Sequence, residues 1–146
     1  FALIGAARED ELAVRAQALR ERGVKRAFVV HSAGLAAAGV CAATRYAKLE
    51  PAVITFGEFV PKDFTDRALR AVDLARTGAR RGAAEWLEGL VARGKPALAA
   101  AVAANLALVL LAGELAGSLD QAMRLSRFTL ASGRALRTLS LARRPA

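Results

Sequence analysis

The sequence holds one cysteine, Cys41, and one histidine, His31. A single cysteine excludes an internal disulfide and every multi-cysteine metal site, and it fits a reducing cytoplasm. As a nucleophile Cys41 would need a base, and His31 is the one candidate; otherwise Cys41 is a small packing residue. Aromatic residues make up 5% of the chain, so the core has to be built from alanine, leucine and valine. Acids are short against bases, 13 to 22. Also missing are an initiator methionine, a charged-then-apolar leader and a cleavage-type signal. Phe1-Ala2-Leu3-Ile4-Gly5 reads as a strand entered at its start, as in a piece of a longer protein, a processed product or a trimmed record. No internal repeat is present, and no low-complexity tract beyond the alanine bias.

What is there is enough for one domain. A chain of 146 residues can bury a core, and 55% apolar residues exclude a mostly disordered chain. The net charge is +9 and the pI about 11.2. That balance favours anionic partners such as nucleic acid, phosphates or an acidic membrane face. The alternative is that an alanine- and arginine-rich composition alone accounts for it.

Taken in order, residues 1–5 form a short apolar run that stops at a glycine. Arg8-Glu9-Asp10-Glu11 places acids where a helix N-terminus favours them. Leu12, Ala16 and Leu19 follow at helical spacing, with Arg15, Arg20 and Arg22 outward and Gly23 as a stop. Residues 26–31 predict a second strand. Strand, helix, strand at this spacing is a βαβ unit with parallel strands and a right-handed crossover. Residues 44–49 and 52–56 predict a small hairpin or strand pair, with Glu50-Pro51 between them. Pro61 starts a turn of helix, and residues 77–82 read as an exposed loop. From Gly82 the pattern is helical: 83–91, from Pro96 to about 112, a helix capped by Ser118 with Asp120 in its first turn, and 134–141. Residues 96–113 lack any charge and approach transmembrane length. With Asn105 at the middle and many alanines, they predict a buried or dimer-forming helix rather than a membrane span.

The stretch from Ala27 to Val40 organises the rest. Its apolar run ends at His31 and a Ser/Gly turn, so it reads as a buried strand emptying into a loop. Ligands in open α/β sheets sit at the carboxyl ends of strands. Yet Ala36 and Ala37 occupy the loop's centre, and a methyl group neither holds a metal nor moves a proton. His31 at a strand end reads as a hydrogen-bonding residue that orients the loop, not as a catalyst.

Five short motifs, in this order, carry a resemblance. Val29-Val30-His31-Ser32-Ala33-Gly34 looks like a Val-Val-His-Gly turn, and Pro61-Lys62-Asp63-Phe64 like Pro-Glu-Asp-Phe. A helix holding Ala104-Asn105 follows. Then Gly117-Ser118-Leu119-Asp120-Gln121-Ala122 is similar to Ser-Leu-Glu-Glu-Gly, and Ala131-Ser132-Gly133-Arg134-Ala135 to Asp-Ser-Gly-Lys-Ala. Over nearly its whole length the chain resembles the C-terminal part of the anthranilate phosphoribosyltransferase and pyrimidine nucleoside phosphorylase family. The resemblance implies an α/β fold: a βαβ parallel-sheet half-domain with a small β-hairpin and a C-terminal run of three to four helices. It implies a single domain over residues 1–146, equivalent to the later half of the family's α/β domain, and a phosphoribosyltransferase ancestry in tryptophan biosynthesis. The family's glycine-rich phosphate loop would lie upstream, in a missing N-terminal half, unless the chain completes itself as a homo-oligomer.

By the same resemblance, His31, Ser32, Gly34, Ala36 and Ala37 match the family's substrate loop. The family carries an Asp-Glu pair there that helps hold magnesium on the phosphoribosyl donor. Here the pair falls on Ala36 and Ala37, and the next acid, Glu50, is too far along for a slip of register. Magnesium needs hard oxygen ligands, so the expectation is no cofactor site, no catalytic residue and no phosphoribosyl transfer by this chain alone. Trp86, with Ala84-Glu85 and Leu87-Glu88, resembles a divergent branch that lacks transferase activity and binds nucleic acid without sequence preference; the bland alternative is a core tryptophan. For such binding the candidates are Arg124, Arg127, Arg134 and Arg137, in pairs three apart that share a helix face. The alternative for them is a solvated basic face. No membrane association is expected.

Overall fold

The structure, a computed structural model, describes residues 1–33, 35–70, 96–134 and 137–138. The predicted helix 83–91, the loop 77–82, Trp86 with its neighbours, Gly34 and most of 134–141 lie outside the described residues.

Strand β1 (Ala2–Gly5) and strand β2 (Ala27–His31) pair in parallel, with Ala2 opposite Ala27 and Gly5 opposite Val30. Helix α1 (Glu11–Glu21) joins them, and Gly23, at φ +81°, ends the connection in a left-handed conformation that suits glycine. Before it, Arg8 donates to both carboxylate oxygens of Asp10 at 3.0 and 2.9 Å. That hydrogen bond holds the Asp10 carboxyl below the usual carboxylate range. Strand β3 (Thr44–Leu49) runs antiparallel to β2, and β4 (Ile54–Phe59) antiparallel to β3. The four strands form one sheet in the order β1-β2-β3-β4.

The second hairpin strand differs from the sequence expectation of 52–56. Glu50 and Val53 exchange two backbone hydrogen bonds, of 2.9 and 3.2 Å, which closes the turn on Pro51 and Ala52. Proline has no N–H for a ladder, so it belongs in the turn. The strand therefore starts at Ile54 and continues through Gly57. The Tyr46 ring lies directly over Gly57 and fills the place of its missing side chain.

Alternation along β2 divides the core. Val29 faces α1 and packs with Ala6, Leu12, Ala16 and Ala47. Phe28 and Val30 face the opposite way, into a larger cluster that includes Phe64, Leu108 and Met123. Four of the eight aromatics meet here. Tyr46 stacks on Phe59 at 4.5 Å, Phe28 meets Tyr46 edge-on at 5.5 Å, and Phe59 touches Phe64 at 5.4 Å. Phe64 ends the one-turn helix α2 (Pro61–Phe64), where Asp63 accepts from the Val60 N–H at 2.7 Å.

Helix α3 (Pro96–Ala112) lies on β1 and β2, and helix α4 (Leu119–Ala131) packs along it. Alanines at 103, 104, 107 and 122 are fully or almost fully buried and let the two helices approach closely. Ser118 caps α4 by accepting from the Gln121 N–H, and the Gln121 side chain returns to the Gly117 N–H. Among the described residues no helix is long and apolar enough to cross a membrane.

Leu108 has no exposed surface and sits where α3 meets the sheet cluster. Leu108→Ala is expected to destabilise the fold by about 2–5 kcal/mol, read as a lower urea midpoint with an unchanged denaturant slope.

Candidate functional site: the loop after β2

His31 is the last residue of β2, and its Nδ1 lies 3.1 Å from the carbonyl of Ala6, just past β1. A carbonyl can only accept, so Nδ1 carries the hydrogen in this contact. The imidazole thus ties together the carboxyl ends of the two parallel strands. Ser32 is buried and donates from Oγ to the carbonyl of Ala43 at 2.9 Å. Ser32 and Leu35 exchange backbone hydrogen bonds around a tight turn, in which Ala33 takes a φ of +23°.

The second half of the loop is closed by two side chains from outside it. Thr44, the first residue of β3, accepts from the Gly39 N–H at 2.9 Å and donates to the Gly39 carbonyl. Gly39 also lies so close to Ser32 that a β-carbon there would meet the Ser32 Cβ at 2.9 Å. Asn105, from the middle of α3, accepts from the Ala38 N–H at 3.0 Å and donates to the Ala38 carbonyl at 3.0 Å. Its amide donates again to the carbonyl of Ala101 at 2.9 Å. The amide group of Asn105 therefore acts as a strand neighbour for Ala38.

Outward, the described residues of the loop present apolar side chains, Leu35 among them. Ala36 is exposed and Ala37 half-buried. The Ala36 carbonyl rests against Gly5, with no room for a β-carbon there. Glu50 stands at the far end of β3, paired with Lys48 at 3.0 Å, so it cannot serve this loop. Arg45, opposite His31 in the register, holds Glu9 at 3.4 Å and Glu58 at 3.3 Å. Among the described residues no group of three or more His, Cys, Asp or Glu side chains is placed to hold a metal ion. The residues at positions 36 and 37 do not fit magnesium, whose ligands are oxygen. Cys41 is half-buried and packs against the larger core cluster.

The arginines expected to act in pairs are held differently. Arg124 is exposed and ion-paired with Asp120 one turn earlier. Arg127 donates from Nη2 to the carbonyl of Phe64 at 2.7 Å, tying α4 to α2. It also lines a cavity of about 510 Å³ with Phe64, Thr65, Pro96, Ala100 and Leu130. Arg134 and Arg137 are exposed.

Sequence reasoning missed the role of Asn105. A lone amide inside an 18-residue uncharged run was the available signal, because a buried amide requires partners. Replacing it with an isostere of no hydrogen-bonding capacity, Asn105→Leu, strands the Ala38 N–H and carbonyl. The expected cost is about 1–3 kcal/mol. Hydrogen exchange at the Ala38 amide should accelerate far more than at Val29 or Val30.

Comparison with known proteins agrees with this geometry. Residues 1–136 match the family described as glycosyl transferase family, a/b domain. An anthranilate phosphoribosyltransferase from Colwellia psychrerythraea is 34% identical over 137 residues, covering 94% of this chain and 38% of that protein. The crystal structure of anthranilate phosphoribosyltransferase from Thermus thermophilus superposes with a TM-score of 0.77 at 26% identity, covering 94% of this chain and 40% of that one. The Saccharomyces cerevisiae anthranilate phosphoribosyltransferase in complex with 4-fluoroanthranilate shares the fold, with a TM-score of 0.79 at 16% identity, again over 94% of this chain and 40% of that one. The chain thus spans about two-fifths of the length of these relatives.

Proposed function

The chain belongs to the glycosyl transferase family, a/b domain, and from that membership we propose that it is the C-terminal half of an anthranilate phosphoribosyltransferase-like α/β domain that does not transfer phosphoribosyl groups by itself. The observation that carries this is the loop after β2. Its polar side chains, His31, Ser32, Thr44 and Asn105, are spent on holding the loop, and its outward positions 36 and 37 are methyl.

A phosphoribosyl donor carries a pyrophosphate whose charge needs magnesium or basic side chains at the moment the bond to the sugar breaks. Magnesium would have to be held by carboxylates, and at this end of the sheet Glu9 and Glu58 already neutralise Arg45, while Glu11 pairs with Arg15 and accepts from the Ala7 N–H. His31 gives its Nδ1 to the Ala6 carbonyl.

Calorimetric titration of phosphoribosyl pyrophosphate with magnesium into the chain is expected to give no binding heat. A saturable, magnesium-dependent heat would overturn the proposal. The double substitution Ala36→Asp, Ala37→Glu restores two oxygen-bearing side chains at the loop mouth, and it should raise magnesium affinity measurably above that of the parent. An unchanged affinity would mean that the register is wrong or that the missing half is indispensable to the site.

One further observation favours a second reading, that of a sequence-independent nucleic-acid or polyanion binder. After Asp120 the sequence carries six arginines and no acid, within a net charge of +9. Arg124 and Arg134 are exposed. Arg124 would exchange Asp120 for phosphate, a surface pair of small worth. Binding to a labelled duplex should then weaken log-linearly with salt. Arg124→Ala with Arg127→Ala should weaken it equally for every sequence and reduce the salt slope by about one for each phosphate no longer neutralised. No binding at low salt would leave the charge a feature of composition.

A further inference from the structure

The sheet face that carries the larger core breaks its own pattern at one place. Phe28 and Val30 of β2 point into that core. Lys48 and Tyr46 of β3 stand opposite them in the register, so all four share one face. The pattern asks for an apolar side chain at position 48, yet a lysine occupies it, half-buried. Beside the last turn of α3, a cavity of about 440 Å³ opens between helix and sheet, lined by described residues. That volume lies in the range of small-molecule pockets. The cavity is at the end of the sheet where β2 begins, away from His31 and the loop after β2.

Apolar and charged groups divide the lining. Phe28 is buried, with Tyr46, Phe59 and Leu111 half-buried around it. Phe28 meets Tyr46 edge-on and Tyr46 stacks on Phe59, which makes an aromatic wall. The charged groups are the more exposed ones. Arg26 holds Glu114 at 2.8 Å, and Lys48 holds Glu50 at 3.0 Å. Two cations and two carboxylates leave the lining electroneutral, in a chain of net charge +9. A lone anion or a lone cation meets as much repulsion as attraction there, whereas a zwitterion finds a partner for each charge.

Glu114 is held in a costly conformation. Its φ is +56°, the left-handed position just past α3, where glycine is the usual residue. Gly113 stands next to it, but one position too early. A non-glycine residue in this conformation stores strain, and such strain gathers at binding sites. What Glu114 supplies is a carboxylate at the cavity, beside the negative end of the α3 dipole, where a cation is favoured.

We propose that this cavity binds a small zwitterion with an apolar body, an α-amino acid carrying a large apolar side chain. Glu114 and the end of α3 take the ammonium, Lys48 takes the carboxylate, and the side chain lies on the Phe28–Tyr46–Phe59 wall. The two ion pairs loosen to admit the ligand, and exposed pairs of this kind are of small worth. The site uses neither the loop after β2 nor the arginines after Asp120, so it stands or falls apart from the phosphoribosyl and nucleic-acid readings.

The test titrates L-phenylalanine into the 146-residue chain, followed by calorimetry and by amide shifts in two-dimensional NMR. Saturable binding is expected, with shifts gathered at Ala27, Leu49 and Gly117 rather than at Ser32 or Leu35. Phenylacetate lacks the ammonium and phenethylamine lacks the carboxylate. Each should bind about tenfold more weakly, the loss of one charge-assisted hydrogen bond. Lys48→Gln should weaken L-phenylalanine by about the same factor and leave phenethylamine unchanged. Glu114→Gly should weaken L-phenylalanine likewise, yet melt no lower than the parent, because glycine adopts the left-handed conformation freely. A Glu114→Gly variant that melts lower and binds like the parent marks Glu114 as structural and overturns the proposal. So do the absence of saturation at millimolar L-phenylalanine, equal binding by the single-charge analogues, a Lys48→Gln variant that binds like the parent, or shifts confined to the loop after β2.

Discussion

One side-chain amide sets the geometry of the end of the sheet where a ligand would sit. Asn105 reaches from α3 to both backbone groups of Ala38, across 67 positions of sequence, and anchors itself to its own helix at Ala101. Without such a partner the loop after β2 would carry unpaired polar backbone into the interface between sheet and helix, at a cost comparable to a lost hydrogen bond for each group. With it, α3 and the loop become one rigid unit. Ser32 and Thr44 complete the same task from within the loop and the next strand. The loop's shape is thus set by four side chains, His31, Ser32, Thr44 and Asn105, none of which needs to touch a ligand.

That division separates the form of the loop from its outward side chains. A carboxylate that holds a metal is replaceable by alanine without loss of fold when the backbone beneath it is bonded elsewhere. Ala36 and Ala37 stand on such a backbone, between the Ser32–Leu35 turn and the Ala38 clamp. A surface acid contributes little to stability, whereas Asn105 or Ser32 contributes the satisfaction of buried groups.

Much of this was legible in the sequence, and the rest was hidden for identifiable reasons. The βαβ unit followed from spacing, because local periodicity and the Gly23 stop act over few residues. The cap at Ser118 and the start at Pro61 followed from single-residue chemistry. The hairpin was found, but β4 was placed too early. Pro51 reads as a boundary in sequence, while the turn it occupies extends to Val53 through backbone bonds that no side chain announces. Gly57 lies inside β4, where Tyr46, opposite it in the sheet, covers it. Spacing put Arg124 and Arg127 on one face, and both are exposed; it did not announce the carbonyl at the end of α2, 63 residues away, that accepts from Arg127. Long-range partners are what single-sequence patterns do not contain, and Asn105 is the plainest case.

The apolar character of α3 follows from its position rather than from helix propensity. A helix lying against a sheet edge and a second helix meets solvent on its remaining side, and there charged residues cost nothing. None is present from Pro96 to Ala112. The one polar side chain in that span, Asn105, is turned to the loop and consumed there. The strand beneath the helix repeats the pattern, covered on both faces and unguarded at its edge. Among the described residues, charged side chains stand instead on α1, the hairpin and α4.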